Sequence, residues 1–161
     1  GTAGATDLEF GFTSTGIGYA HAYFPETGSV WFNSSYTSGY NDLDAPVLGT
    51  HGFSTYVHEI GHALGLNHMG NYNGAGAWTP SSYQDSTVLS VMSYFGPTAP
   101  NHSNEVANAD WTDAAGNIYA PQTPMLNDIM AIQAMYGVST TTRTGDTTYG
   151  FNSNVTGTVA P

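Results

Sequence analysis

Short stretches of alternating apolar and polar residues near the start of the chain predict three β-strands. This alternation is found in residues 7–12, 18–24 and 30–32, and the second stretch ends before Pro25. Successive side chains of a strand point to opposite faces, so alternation is typical of a sheet with one face against a core. The polar, turn-forming residues 34–50 then predict a loop.

In the next segment the apolar residues have the spacing of an α-helix. Apolar residues recur at intervals of three and four between positions 53 and 64, and Thr50 or Ser54 can cap the start of this helix. Gly65 predicts its end, because glycine adopts left-handed backbone angles at little cost. The segment that follows, 67–86, is rich in Gly, Asn, Ser and Pro and predicts a second loop.

The second half of the chain predicts one further helix, over residues 125–136. Thr123 and Pro124 suit its start and Gly137 its end. Its apolar stripe is formed by Leu126, Ile129, Ile132 and either Met135 or Tyr136. The short apolar segment 89–94 is either a strand or a tight turn. Together these elements predict an α+β fold with a small twisted mixed sheet, one helix across it and a second packed helix.

The charge balance excludes several classes of partner. The chain has 12 acidic residues, and Arg143 is its only basic side chain besides the histidines, which gives a formal net charge of −11. Such a chain is repelled by nucleic acid and by anionic membrane surfaces, so we expect neither as a partner. Cysteine is absent, which removes disulfides, thiol catalysis and cysteine metal ligands.

The predicted first helix carries a pattern of metal-ligand type. His58 and His62 are four residues apart and therefore share a helix face, Glu59 follows the first of them, and Gly65 allows the chain to turn and bring in His68. Three histidines suit a catalytic zinc ion, which keeps its fourth position for water and lowers the pKa of that water to about 7. Glu59 would then act as the general base. Five positions fixed at this spacing arise by chance roughly once in a hundred thousand chains of this length.

The extended pattern, followed later by a methionine turn, is that of the metzincin proteases. Met92, within Ser-Val-Met-Ser-Tyr at 90–94, is the matching methionine. Within the metzincins the chain resembles the serralysins, through residues 58–68 and 90–94, through 126–137 and more weakly through the strands. The resemblance implies a metzincin-type zincin fold and a secreted, extracellular zinc endopeptidase. It also implies that Met92 forms a floor below the metal.

The same resemblance implies further site residues. Tyr94 would be an additional zinc ligand that swings away to stabilise the oxyanion when substrate binds. A substrate-binding edge strand would lie upstream of the zinc helix and pair with an extended peptide. By order and pattern it consists of Tyr19, Ala20, His21, Ala22, Tyr23 and Phe24. We interpret His21 as a cleft or surface residue, and His51 and His102 as loop histidines outside the ligand set.

The chain also departs from the serralysin pattern. The segment before His58 is shorter than in serralysins, and Met69 stands where they have proline. We expect a catalytic domain over residues 1–137 and a polar linker over 138–161 that leads towards a calcium-binding β-roll, whose glycine- and aspartate-rich repeats the sequence lacks. Calcium is therefore expected, beside zinc, only at a half-site formed by Arg143, Gly145 and Thr147.

Three functional interpretations remain open from the sequence. The first is a monomeric zinc endopeptidase that acts on proteins or peptides and is controlled by a proteinaceous inhibitor. The second is a domain that binds zinc without catalysis, because a short front segment could leave the sheet incomplete and an apolar face exposed. The third is an acidic calcium-binding interaction module with incidental histidines.

Overall fold

The computed structural model of the protein describes residues 8–74, 78–141 and 145–146. In this part of the chain three strands precede two α-helices, and a short 3-10 helix lies at Gly39–Asn41. None of the described helices is long and apolar enough to span a membrane. The strands and α-helices are β1 (Glu9–Thr13), β2 (Ala20–Ala22), β3 (Ser29–Asn33), α1 (His51–Ala63) and α2 (Leu126–Tyr136).

The sheet is mixed, with the strand order β1-β3-β2. Strand β1 pairs with β3 in parallel, with Phe12 opposite Phe32, and β2 pairs with β3 in antiparallel fashion, with His21 opposite Trp31. The central strand is the most buried, since Val30 and Phe32 are fully inaccessible. The predicted α+β architecture, with a small mixed sheet and two helices, is therefore confirmed.

Helix α1 lies across one face of this sheet and closes the first core cluster. Val30 and Phe32 pack there with Leu43 and Ala63. The ring of Tyr56 stacks on that of Phe32 with centroids 3.8 Å apart, and its hydroxyl donates to the Leu43 carbonyl at 2.6 Å. The alternation along β3 thus places its apolar side chains under the helix.

The ends of α1 follow local sequence rules. Of the two predicted caps, Thr50 is the one used, and its Oγ1 accepts a hydrogen bond from the Phe53 amide at 3.3 Å. The helix ends before Gly65, whose φ of +103° lies in the left-handed region. Ordinary residues are strained there, so this glycine allows the chain to reverse direction.

Segment 89–94 is a turn, which settles the choice left open by the sequence. Val91 and Met92 are buried in a second core cluster with Leu66. This cluster also receives Ile132 of α2. The turn is therefore held between the end of α1 and the second helix.

The apolar stripe of α2 is only partly buried. Ile132 packs inward, but Leu126 is 59% exposed and Ile129 is 46% exposed, as are Met135 (48%) and Tyr136 (60%). The buried residue in the first turn is instead Asp128, whose carboxylate accepts hydrogen bonds from the Met125 and Val91 amides. This polar anchor sets the rotation of the helix, and it does so against the apolar periodicity.

Candidate metal centre

Three histidine side chains converge beside the end of α1. His58 and His62 lie one turn apart on the helix, and the turn at Gly65 returns the chain so that His68 faces them. The Nε2 atom of His68 is 3.2 Å from that of His58 and 3.0 Å from that of His62. One ligand atom from each residue lies within 4.8 Å of the others.

The other ring nitrogen of each histidine is held by a backbone carbonyl. His58 Nδ1 lies 2.7 Å from the Val91 carbonyl oxygen, and His62 Nδ1 lies 2.7 Å from that of Leu66. His68 Nδ1 lies 2.8 Å from the Tyr72 carbonyl oxygen. A carbonyl can only accept, so these contacts assign the proton to Nδ1 and leave Nε2 with a bare lone pair.

This tautomer assignment tests whether a metal fits. The bare Nε2 lone pair of His68 lies only about 3 Å from those of His58 and His62, and these lone pairs repel one another because none has a proton to share. A cation between them removes that repulsion, and neutral imidazole nitrogen with a carbonyl behind it is what zinc takes from histidine. The donor set fits zinc, the cofactor of this site.

Burial keeps these imidazoles in the neutral form that binds metal. It lowers the pKa of His58 to about 3, with the charge of His62 adding to the effect. It also lowers the pKa of His62 to about 4. The pKa of His68 is lowered by burial as well, and the Tyr72 carbonyl and the charge of Asp85 oppose that decrease. All three rings are therefore uncharged near neutral pH.

Glu59 is the acidic group beside the histidines. It is buried at 7% exposure and lines a cavity of about 730 Å³ that also reaches His58. Burial raises the pKa of its carboxyl group to about 7. A group with this pKa can both accept and release a proton near neutral pH.

Met92 and Tyr94 lie on the turn whose Val91 carbonyl contacts His58. Met92 is 1% exposed, and its thioether lies against Gly61 of α1. The Tyr94 ring is 4.6 Å from that of His68, and its hydroxyl oxygen accepts from the Gly74 amide at 3.1 Å. Burial raises the pKa of Tyr94, the hydrogen bond from Gly74 opposes that rise, and the charge of Glu59 adds to it. Tyr94 and Glu59 line the same cavity.

The predicted substrate strand lies at a free edge of the described sheet. Strand β2 covers only Ala20–Ala22, but hydrogen bonds to β3 extend the pairing to Tyr19 and Tyr23. The strand leads past the metal site, where the Phe24 ring is 5.8 Å from that of His62. His21 is exposed and outside the histidine cluster, as expected.

His51 is not the loop histidine that was expected. It is the first residue of α1, its ring stacks on that of Tyr19 at 5.4 Å, and it lines the cavity. The sequence also did not indicate Trp78 and Tyr119, which line the same cavity from irregular segments. No periodicity or motif marks such residues. His102 lies in an irregular segment, as predicted, and contacts Glu105.

The calcium half-site stays a prediction. Arg143 and Thr147 lie outside the described residues, and Gly145 is described without them.

Comparison with known proteins places the chain among metallopeptidases. Residues 17–122 match the model of metallopeptidase family M12B, reprolysin-like. The chain is 44% identical over 135 residues to Serralysin A of Dickeya chrysanthemi, covering 84% of this chain and 26% of that protein. It is 40% identical over 168 residues to Metalloprotease AprA of Pseudomonas entomophila, covering 95% and 32%. To Serralysin of Photorhabdus luminescens it is 38% identical over 161 residues, covering 92% and 30%. The chain thus spans between a quarter and a third of the length of these relatives.

Proposed function

This chain belongs to the reprolysin-like metallopeptidases of family M12B and is of the serralysin type, and on that premise we propose that it hydrolyses peptide bonds of proteins as a zinc-dependent endopeptidase. The observation that carries the proposal is the convergence of the three histidine Nε2 atoms at His68, together with the buried Glu59, which lines the same cavity as His58. A structural cluster of histidines has no need of a carboxylate that faces an open cavity.

Glu59 acts as the proton carrier of the reaction. Zinc at this site supplies a Lewis acid that lowers the pKa of a water molecule towards about 7. Glu59 takes a proton from the attacking water and then delivers it to the leaving amine. Its support is that it follows His58 on the helix and lines the same cavity.

Tyr94 supports the oxyanion that develops on the substrate carbonyl. Its phenol oxygen accepts from the Gly74 amide, which leaves its O–H proton for a substrate oxygen. The resemblance to serralysins further supports Tyr94 as an additional zinc ligand in the resting enzyme, from which it swings towards the substrate.

An extended substrate pairs with the free edge of β2. The Asn33 amide donates to the Tyr19 carbonyl, and the Tyr23 amide donates to the Ser29 carbonyl. The odd-numbered residues of the β2 strand therefore bond to β3. The N–H and C=O groups of Ala20 and Ala22 therefore point away from β3 and towards the substrate. Recognition through these groups reads the main chain of the peptide and gives broad sequence preference.

The resemblance to serralysins supports the remaining proposals. The protein is secreted, acts outside the cell as a monomer and is controlled by a proteinaceous inhibitor. Residues 1–137 form the catalytic domain, and residues 138–161 form a linker that carries the calcium half-site.

Cleavage of casein or gelatin with and without a chelator tests the function. We expect proteolysis that stops on chelation and returns with zinc. Glu59→Gln should keep one zinc per chain and lose activity by several orders of magnitude, about the scale of removing a general base together with its electrostatic role. Full zinc occupancy without cleavage in the parent chain would identify a metal-binding domain without catalysis. Activity that survives Glu59→Gln would refute the role of this residue.

A further inference from the structure

Two buried carboxylates flank the 90–94 turn, and neither takes part in the chemistry proposed above. Asp85 is fully buried and Asp128 is 2% exposed. Burying a carboxylate is costly unless several donors compensate it. Asp128 anchors the start of α2, whereas Asp85 anchors no helix or strand, so its presence in the interior needs another explanation.

The donors around Asp85 come from both sides of the metal site. Its Oδ1 atom accepts from the Tyr72 hydroxyl at 2.6 Å and from the Ser93 hydroxyl at 2.7 Å, and its Oδ2 atom accepts from the Ser81 amide at 2.9 Å. Hydrogen bonds this short are typical of a charged acceptor. Asp85 therefore joins the loop after His68 to the turn that carries Tyr94.

Tyr72 connects this carboxylate to the metal site by two routes. Its backbone carbonyl accepts from His68 Nδ1 at 2.8 Å, which fixes the tautomer and direction of that ring. Its hydroxyl oxygen accepts from the Tyr94 amide at 3.3 Å while the hydroxyl proton goes to Asp85. One side chain thus links His68, Tyr94 and the buried carboxylate.

We propose that Asp85 is a positioning residue that acts through Tyr72 to hold His68 in place for zinc and to fix the backbone of Tyr94. The negative charge behind His68 also complements a divalent cation bound by three neutral rings. The proposal deepens the proposed function but depends only on metal binding, so it can hold even if the chain cleaves nothing.

Zinc affinity of the full chain tests this role directly, by competition with a chromophoric chelator. Asp85→Asn and Tyr72→Phe keep the shape of each side chain but remove the charge or the hydroxyl. We expect each to weaken zinc binding about 10- to 100-fold, the range found for partners behind metal-ligating histidines. An unchanged dissociation constant in either folded variant would overturn the proposal.

Two matched controls separate this effect from general destabilisation. Tyr56→Phe removes a hydroxyl that donates to the Leu43 carbonyl, away from the metal site. Glu105→Gln removes a carboxylate charge at the surface. We expect both to bind zinc as the parent does, at a temperature at which all variants are folded. If Tyr56→Phe and Tyr72→Phe lose zinc affinity equally, the hydroxyl of Tyr72 has only a general structural role, and the proposal is overturned.

A double-mutant cycle tests whether Asp85 acts through Tyr72. If it does, combining Asp85→Asn with Tyr72→Phe weakens binding little more than the stronger single change, because both break the same connection. Fully additive losses would show independent effects and contradict the proposed route. The Asp85→Asn and Tyr56→Phe pair should be additive.

A spectroscopic readout covers the case in which Asp85→Asn does not fold. The d–d absorption of bound Co²⁺ reports ligand geometry, and we expect Tyr72→Phe and Ser93→Ala to change it. Tyr56→Phe should leave it as in the parent. Identical Co²⁺ spectra and zinc affinities in folded Tyr72→Phe and Ser93→Ala would refute the positioning role without any need for the aspartate variant.

Discussion

Each histidine of the metal centre uses its two ring nitrogens for different purposes. Nε2 faces the common point, and Nδ1 donates to a carbonyl of Val91, Leu66 or Tyr72. These carbonyls belong to three separate segments: the 90–94 turn, the end of α1 and the loop beyond His68. The orientation of His62 and His68 is therefore set by nearby backbone, and that of His58 by the Val91 carbonyl, 33 residues away.

Tyr94 gives a prediction at the residue scale. Tyr94→Phe removes the proposed oxyanion donor and leaves the three histidines intact. Loss of one such donor lowers kcat by about 10²–10³, and we expect this with KM and zinc stoichiometry little changed. Steady-state kinetics and metal analysis of Tyr94→Phe beside the Tyr56→Phe control measure the effect. A kcat equal to that of the parent would rule out the oxyanion role.

Residue types at fixed spacing explain how much of the site could be predicted from the sequence. A helix turn places His58 and His62 together, and Gly65 brings His68 back, so local geometry was sufficient. His51 was misjudged because its stack with Tyr19 depends on the tertiary approach of β2 to α1. Asp85 was not singled out, because an isolated Asp in a polar loop looks like any surface acid until its burial is known.

Glycines make helix α1 compatible with its neighbours. A methyl group on Gly52 would lie 1.9 Å from the Asp42 carbonyl oxygen, whereas one on Gly61 would lie 2.6 Å from the Met92 sulfur. The carbonyl belongs to backbone and cannot easily move, but the thioether is part of a flexible side chain. The two positions thus offer the same gain in helix propensity, about 1 kcal/mol, with very different neighbours.

This contrast predicts the order of two stabilities. Gly52→Ala should destabilise the protein by about 1–3 kcal/mol, the usual cost of overpacking, and Gly61→Ala should cost less. Urea unfolding of both variants in the metal-free state measures the difference without interference from zinc. Equal stability of the two variants would show that the approach of Asp42 to α1 is not rigid.

The elements themselves followed the sequence to different degrees. The strands and α1 appeared where alternation, the Thr50 cap and Gly65 predicted them, because these signals are local. For α2 the predicted extent was right, but most of its apolar stripe is exposed. There the hydrogen bonds from Ser90 and Val91 to Asp128 determine which side of the helix is buried. A polar contact between residues far apart in sequence produces no periodic pattern from which it could be predicted.

At the scale of the whole molecule, the metal site takes its ligands from helix α1 and from the irregular segment that follows it. The first core cluster lies between the sheet and α1, whereas the cluster of Tyr72, Phe95 and Val106 lies beyond the turn. His58 and His62 belong to the helix, and His68 begins the loop that leads to Tyr72. A bound cation therefore links the helix to the irregular half of the described chain.

Metal removal should consequently lower the stability of the whole fold. Zinc binds the folded state, where the three Nε2 atoms are already assembled, so free zinc at 100 times its dissociation constant adds about 2.7 kcal/mol to the free energy of unfolding. Chelation should remove this increment, which already includes the relief of repulsion between the lone pairs. Thermal unfolding by circular dichroism, with zinc and with chelator, measures the shift.

Glu59→Gln serves as the control, because it keeps the ligands and should show the same zinc-dependent shift without self-cleavage. Stoichiometric zinc binding with no change in the unfolding temperature would mean that the histidines are equally available in the unfolded chain, and the preassembled geometry would then have no energetic consequence.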